Sequence, residues 1–580
     1  MCAIIGAVGK KLPAREIFER ARDTMAHRGP DGMGIYYEPK EGIALGHRRL
    51  AIIDLSNAGN QPMISNDGRY QIVFNGEIYN YLELKRELKG YQFKTKTDTE
   101  VLLAAYERWG TNCLDRLEGM FSFAIWDSRE KSLFAARDRF GEKPFFYSVL
   151  GADTFVFASE IKGLLALGVK PKINESAIHA YLVYGYYDHS NETFFDGVQV
   201  LPPGHMISRG QDGDLDITRY WDIADARPII PTSPEGILER YKELLEKSVE
   251  LRFRSDVPVG LNLSSGLDSN SLRYFSECTM GKTVDMFSLC LPSDEYNECD
   301  LIEKFLTEDE KKRWHTTVMT PENVWSDIER MVKIEDQPFG GVPTIAYLAL
   351  PELAKRSSVT VLLEGQGLDE LLGGYPYYLS LVEAGNMPAL PGKSQDMSQE
   401  TDGSVLEQAF VGQYAGGAFR FPEPFSSPLM NAQYRDIGYT KLPRVLRFND
   451  HASMALGREL RMPYLSREFA EFCFHLPLAE KILSGEQKVL NRRAMKEYLP
   501  SVVRAKQKKV FGAIQTEWFR KYYKDATLGV LASSSFRSRP YWNHVVLEEK
   551  VQRFFSGEGT NSFFIWQCIN LEFWLREFID

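Results

Sequence analysis

The hydrophobic rhythm changes part-way along this chain, and that change constrains the fold more than any single residue does. Over roughly the first 200 residues, short β-rich runs (YQIVFNG, FSFAIWD, SLFAARD, TFVFAS) recur with few helices, the clearest expected over 80–90 and 98–110. Such runs predict stacked antiparallel sheets. The pattern breaks around Leu201-Pro-Pro-Gly-His205 and the polar stretch SRGQDGDLD, which places a boundary near 205–230. From about 234 a long helical stretch (EGILERYKELLEKSVELRF) is followed by strand-like runs at 259–263, 284–291 and 359–365, separated by longer helical segments. That spacing predicts βαβ units and a parallel sheet. The segment 383–406 is rich in Pro, Gly and Ser without periodicity, and reads as an exposed loop that acts as a flap.

Composition excludes several classes. The chain has 580 residues, a length prior of three to four domains at roughly 150 residues each. Its 12% aromatic and 26% charged fractions are those of a globular protein, not a disordered one. No apolar run reaches the ~18 residues needed to cross a bilayer, and MCAIIGAVGKK lacks the basic-then-apolar order of a secretory signal. With 69 Lys+Arg against 79 Asp+Glu, the net charge of −10 argues against nucleic-acid binding, which needs a basic face. Small molecules are the expected partners, with no nucleic acid and no membrane. The 7 cysteines are scattered and form no C-x-x-C pair, a pattern that suggests neither a disulfide framework nor a zinc knuckle and suits a reducing cytoplasm.

One cysteine stands apart. Removal of the initiator Met would make Cys2 the first residue, and its own α-amino group, with a pKa near ~8, could then take up the thiol proton. Behind it come His27-Arg-Gly-Pro-Asp31, Gly46-His-Arg-Arg-Leu-Ala-Ile-Ile-Asp54, Asn75-Gly-Glu-Ile-Tyr-Asn80 and Thr97-Asp-Thr-Glu100. Asn75-Gly76 ends a strand, where a side-chain amide and a glycine N–H could hold an oxyanion; a tight turn is the plainer reading. Asn80-x-x-Glu83 and Thr97-x-x-Glu100 both read as capping boxes opening helices, the second placing Asp98 in a first turn.

This ordered set resembles the glutaminase domain of the N-terminal-nucleophile (class II) glutamine amidotransferases. The resemblance implies Cys2 as nucleophile, Asn75 and Gly76 as oxyanion donors, Arg49 on the glutamine α-carboxylate, and Asp98 on its α-amino group, with Glu77 nearby. Arg suits a bidentate carboxylate grip better than Lys.

The second half carries Val259-Gly-Leu-Asn-Leu-Ser-Ser-Gly-Leu-Asp-Ser269, an apolar strand running through a small-residue loop into a helix. Such a loop presents N–H groups and hydroxyls to an anion such as pyrophosphate. It lacks the Lys of a Walker loop. Leu363-Glu-Gly-Gln-Gly-Leu-Asp-Glu-Leu-Leu-Gly-Gly-Tyr375 and Glu459-Leu-Arg-Met-Pro-Tyr-Leu465 follow. Together these segments resemble the ATP-pyrophosphatase domain of glutamine-dependent asparagine synthetases. The resemblance implies an α/β protein. Residues 1–210 would form an αββα sandwich of the N-terminal-nucleophile hydrolase type, and residues 230–580 a parallel-sheet α/β domain with helical additions.

The same resemblance implies ATP and Mg²⁺, an acyl-adenylate made from a carboxylate, pyrophosphate release, and attack by internally delivered ammonia; a homodimer is what the family suggests. Leu263, Ser264, Gly266, Asp268, Ser269, Leu289, Gly365 and Lys508 map to the ATP and pyrophosphate site, and Glu364, Gln366 and Asp369 to the acceptor site. Asp268 and Asp369 are the metal candidates, Mg²⁺ bridging phosphates through one or two carboxylates being its usual mode. Lys508 belongs to the basic run Arg504-x-Lys-x-Lys-Lys509, which charge-assisted bonds suit to phosphate. Arg137-Asp-Arg-Phe-Gly141 and Ser159-Glu160 resemble segments between the two sites, or are interface packing.

The chain departs from the pattern of the family it resembles in three motifs. Ser265 stands where the first Gly of S-G-G-x-D-S is usual, which would strain the loop if that position needs positive φ. Gln366 replaces an acceptor-site carboxylate, with Glu364 two residues earlier as a candidate compensation. Ser466 replaces the Asp of P-F-L-D. The substitutions fall around the acceptor, so the expected reaction is glutamine-dependent amide synthesis, on aspartate by default and on another carboxylate, such as a uronic acid, as the alternative. Intramolecular amide closure and a non-enzymatic scaffold are disfavoured by the retention of Cys2 and Asp268.

Overall fold

The computed structural model describes residues 2–151, 153–210, 213–291, 297–384, 401–413, 419–501, 503 and 512–580. Twelve strands build its first part. They are β1 (Ala3–Val8), β2 (Gly32–Glu38), β3 (Ile43–Arg49), β4 (Met63–Ile64), β5 (Tyr70–Ile78) and β6 (Gly119–Asp127). After them come β7 (Ser132–Arg137), β8 (Phe146–Leu150), β9 (Thr154–Ala158), β10 (Gln199–Val200), β11 (His205–Arg209) and β12 (Leu215–Arg219). They form two six-stranded sheets, ordered β10-β8-β9-β1-β3-β2 and β12-β11-β7-β6-β5-β4, with every ladder antiparallel.

The layering follows from period-2 patterning. Along β5, Val73 packs between the sheets with Ile4, Leu45, Ala124 and Trp126, while Ile72, Phe74 and Ile78 face the helix Asp98–Trp109. On the other outer face, Phe18 and Ala21 of helix Arg15–Asp23 and Leu164 of helix Ile161–Leu167 cover Ile5 and Ala7 of β1. The order helix, sheet, sheet, helix is the expected sandwich. Alternation puts Asn75 and Glu77 on the same face of β5 as Val73, between the sheets. The sheet continues through Arg219, beyond the break in pattern read at 205, because β11 and β12 pair onto β7 despite their Gly- and Asp-rich connection.

The second part is built on β13 (Val259–Asn262), β14 (Met286–Cys290), β15 (Trp314–Val318), β16 (Val361–Leu363) and β17 (Glu459–Arg461). These lie in the order β15-β14-β13-β16-β17 with every pair parallel. Helices bury its faces, among them Pro234–Arg252, capped by Ser233 with Pro at its start. Of the expected flap at 383–406, residues 385–400 lie outside the described residues; 401–406 are described, with Val405 and Leu406 buried.

Local expectations fared unevenly. Thr97 caps its helix through Glu100 N–H as expected, but the reciprocal half is missing: Glu100 accepts from Lys94 and Thr95 instead. Asn80 makes no side-chain cap; its amide bridges Arg116 O and Glu118 N–H, and Glu83 pairs with Arg254. Tertiary partners outcompeted the local ones. The cysteine reading is also corrected, since Cys290 and Cys299 form a disulfide. Their separation of nine residues is invisible to a C-x-x-C search, yet it joins the end of β14 to the start of helix Cys299–Phe305. Among the described residues, no helix is long and apolar enough to cross a membrane.

Candidate functional site

At the N-terminal site β1, β3 and β5 bring together residues far apart in sequence. Cys2 is buried at the start of β1, and its backbone N donates to Asn75 Oδ1 at 3.0 Å. With Met1 removed, that nitrogen is the α-amine. Burial pushes the Cys2 thiol pKa up, offset in part by positive charge nearby. Asn75 Nδ2 is buried without a hydrogen-bond partner, an arrangement suited to a donor that waits for a developing oxyanion. The next residue, Gly76, adopts φ +154, and a Cβ there would lie 2.1 Å from Met120 O. Glycine is required by that close approach, whatever else the position does.

Asp98, in the first turn of its helix, accepts from Ile78 N–H at 2.8 Å and is pushed up to a pKa of about 6, chiefly by burial. Glu77 is raised as well, by burial and then by the charge of Asp98. Arg49 is buried on the same side of the site. Its guanidinium donates to Ser56 O at 2.6 Å, to Asp54 O and to Asn60 Oδ1 at 3.3 Å. No carboxylate among the described residues forms a salt bridge with Arg49; its hydrogen-bond acceptors are neutral carbonyl and amide oxygens, which leaves the guanidinium suited to an anion.

The second site lies at the C-terminal edge of the parallel sheet, where open α/β sheets bind ligands. The loop after β13 folds on its own hydroxyls. Ser269 Oγ accepts from Ser264 N–H at 3.1 Å, and Ser264 Oγ accepts from Gly266 N–H at 3.1 Å. Ser265 is buried and does not take positive φ, so the expected strain is absent; its N–H donates to Glu298 Oε2 at 3.1 Å. Leu263 and Leu289 sit at the ends of β13 and β14, and Gly365 packs so closely that a Cβ would lie 3.2 Å from Asp268 Cβ. Lys508 and its basic run lie outside the described residues.

Asp268 and Asp369 converge on Lys488, whose Nζ lies 2.6 Å from Asp268 Oδ2 and 2.5 Å from Asp369 Oδ1. The sequence reading missed this lysine. Its motif is unremarkable and its left-handed backbone, φ +52, cannot be read from a sequence. An ammonium held between two carboxylates shows that the pair accepts a cation, which fits the Mg²⁺ role. Gly374 makes room, since a Cβ would lie 2.0 Å from Asp369 Oδ1 and 2.2 Å from Lys488 Cε.

Gln366 follows β16 and is half-buried, whereas Glu364 is fully buried. The Glu364 carboxylate accepts from Tyr347 Oη, from Asn262 Nδ2 at 2.6 Å and from Asn449 Nδ2 at 2.9 Å. Tyr347, Asn262 and Asn449 carried no sequence signal. All three donors are neutral, and burial raises the carboxyl pKa. Ser466, the third departure, is buried at the start of helix Arg467–Phe474 and makes no side-chain cap.

The two sites are joined by buried contacts. Arg28, from the HRGPD segment, donates to Cys2 O at 3.2 Å, to Glu160 at 3.0 Å and to Asp450 at 2.7 Å. Asp450 sits on helix Leu442–Met454 beside Asn449, which holds Glu364. An apolar cluster that includes Leu50, Ile52, Tyr79, Met120, Val361 and Met454 fills the space between the sandwich and the parallel sheet.

Two domain families match this chain. Residues 1–221 match the glutamine amidotransferase domain family and residues 240–576 the asparagine synthase family. The chain is 29% identical to asparagine synthetase [glutamine-hydrolyzing] 1 of Bacillus subtilis, over 99% of this chain and 97% of that protein. It is 35% identical to a putative asparagine synthetase [glutamine-hydrolyzing] 2 of Methanocaldococcus jannaschii, over 66% of this chain and 76% of that one. Amidase chry2 of Gibberella zeae matches at 27% identity over 87% of this chain and 86% of its own. A Cys2–Asn75 pair in an antiparallel sandwich, joined to a serine-rich loop at the edge of a parallel sheet, therefore comes with relatedness over nearly the whole length, and the chain belongs to the glutamine-hydrolysing asparagine synthetase family of ligases.

Proposed function

We propose that the chain works as two catalytic units, residues 1 to about 221 and 240–576, passing ammonia from one to the other. In the first, the α-amine of Cys2 takes the thiol proton as sulfur attacks the side-chain carbonyl of glutamine. Asn75 Nδ2 and the Gly76 backbone receive the oxyanion, Arg49 holds the α-carboxylate and Asp98 the α-ammonium. Ammonia leaves, and water releases glutamate from the thioester. In the second unit an acceptor carboxylate attacks the α-phosphorus of ATP. Pyrophosphate departs into the 264–269 loop, and ammonia displaces AMP from the acyl-adenylate.

Asp268 and Asp369 would hold Mg²⁺, which when bound neutralises the departing pyrophosphate; Lys488 steadies the carboxylates. The apolar cluster around Met120 and Met454 suits passage of neutral ammonia rather than ammonium. The observation that carries this reading is the buried, unpartnered Asn75 Nδ2 beside Cys2.

Aspartate is the default acceptor, from the names of the relatives. A second reading has its own support. Gln366 is an amide, and Glu364 is engaged by Tyr347, Asn262 and Asn449, so the site offers less negative charge to an acceptor's α-ammonium. A carboxylate without an amino group, such as a uronic acid, fits that electrostatics better. The test is pyrophosphate release across a panel of carboxylates with ammonia supplied, in the wild type and in Cys2→Ala. Cys2→Ala should lose glutamine-dependent release and keep the ammonia-dependent rate; equal loss of both defeats the division of labour. If aspartate gives no more signal than buffer while a uronic acid does, the acceptor is the sugar acid.

A further inference from the structure

Arg461 is fully buried at the end of β17, and its two ends face different sites. Its main-chain oxygen accepts Glu364 N–H at 3.0 Å, and it stands in register with Leu363 of β16, so it fixes where the Glu364–Gly367 segment leaves the parallel sheet. Its guanidinium points the other way. Nε donates to Glu459 at 2.7 Å, and Nη1 to the carbonyls of Arg252 and Arg254 at 2.7 and 2.9 Å. Nη2 reaches across to Glu77 Oε2, at 3.7 Å. Neither Nη2 nor Glu77 Oε2 has a hydrogen-bond partner at this distance.

Glu77 needs a cation. It lies on the face of β5 that carries Asn75, near the buried carboxylate of Asp98, and two carboxylates out of water repel each other unless a positive charge compensates them. Among the described residues Arg461 forms an ion pair with Glu77, and it is supplied by the parallel sheet rather than by the sandwich. The phenol ring of Tyr79 packs beneath it, 5.4 Å from the guanidinium carbon, and Arg252 lies over the same ring at 4.6 Å. Its bonds to Glu459 and to the two carbonyls hold the fork rigidly, so a shift of β17 is transmitted to the charge seen by Glu77.

We propose that Arg461 is a positioning residue that couples the two sites: through Glu77 it sets the charge of the glutamine pocket, and through Glu364 it senses the acceptor segment. This rests on the division of labour proposed above. Coupling through one residue is reciprocal, so occupancy at the acceptor side should tighten glutamine binding as much as glutamine organises Glu364.

The experiment compares wild type, Arg461→Gln, Arg461→Lys and Glu77→Gln. Glutamate release, and pyrophosphate release from glutamine or from ammonia, are measured with an acceptor that the carboxylate panel identifies. Arg461→Gln should raise the glutamine KM about tenfold, inside the roughly 5–150-fold span of typical site coupling. It should also raise glutamate formed per pyrophosphate, while ammonia-dependent release stays within about threefold of wild type, a small change in barrier terms. Arg461→Lys, which keeps the charge and loses the fork, should fall between. The double variant Glu77→Gln/Arg461→Gln should be no worse for glutamine KM than the worse single variant. An unchanged glutamine KM, a parallel loss with both nitrogen sources, or additive effects in the double variant would overturn the coupling role. If Arg461→Gln does not fold, Arg461→Lys alone and combined with Glu77→Gln decides by the same criteria. Absence of glutamate release by the wild type would instead defeat the proposed function itself.

Discussion

Asp98 shows how one residue can be legible in kind and not in behaviour. Its place in a first helical turn follows from Thr97-x-x-Glu100, but a carboxyl there should be stabilised in its charged form by the helix dipole. Burial wins, and the pKa rises to about 6. The folded carboxyl is then more basic than the unfolded one, so its stabilising contribution is present at low pH and is lost as pH rises through about 6. Binding runs the other way, because the α-ammonium of glutamine needs the ionised form. The glutamine KM should therefore fall as pH rises from about 5 to about 7, and Asp98→Asn should flatten that limb while raising KM. Steady-state glutamate release against pH is the measurement, and a KM independent of pH would remove Asp98 from glutamine recognition. Glu364 makes the same point about acceptors. Its spacing from Gln366 suggested a replacement carboxylate, yet whether it serves a ligand or the scaffold depends on Tyr347, Asn262 and Asn449, which arrive from three other elements.

At the scale of elements, strands and helices were legible wherever one periodicity dominated. β5, β6, β7 and β9 fall on the apolar runs read from the sequence, and so do β13, β14 and β16, because a strand with a buried face must alternate or be wholly apolar. Caps were legible only where no distant group competed. Thr97 Oγ1 accepts Glu100 N–H, and Thr97→Ala should cost about 1 kcal/mol, the usual loss of a Thr N-cap. The loss should appear as a lower denaturant midpoint with little change in slope; the glutamine KM should rise too, since Asp98 rides on the same turn. Asn80 fails as a cap because Arg116 O and Glu118 N–H take both ends of its amide. No local rule could weigh those partners, nor place Lys488 between two aspartates from the first turns of separate helices.

The whole molecule is held together by buried charge as well as by apolar packing. Arg28, Lys143, Glu160 and Asp450 form a network inside the protein, linking the Cys2 carbonyl to helix Leu442–Met454. Breaking such a pair by removing one partner leaves an uncompensated charge, which typically costs about 3–5 kcal/mol. Asp450→Ala should therefore lower the unfolding midpoint substantially, and it should raise glutamate formed per pyrophosphate, since Asn449, its neighbour on that helix, donates to Glu364. A variant as stable and as well coupled as wild type would show that the network is incidental.

The sequence by itself determined the two periodicities, hence the sandwich and the parallel sheet, and it singled out Cys2, Asn75, Arg49, Asp98, Asp268 and Asp369 as candidates. Those are local facts: alternation, loop composition and the order of short motifs. Only the tertiary structure decided the pairing of Lys488 with both aspartates, the reach of Arg461 from β17 to Glu77, the neutral donors around Glu364 and the Cys290–Cys299 bond. The reason is physical. A charge or an amide buried by distant elements takes its energy from groups hundreds of residues away, and desolvation, which sets that energy, exists only once the chain has closed around it.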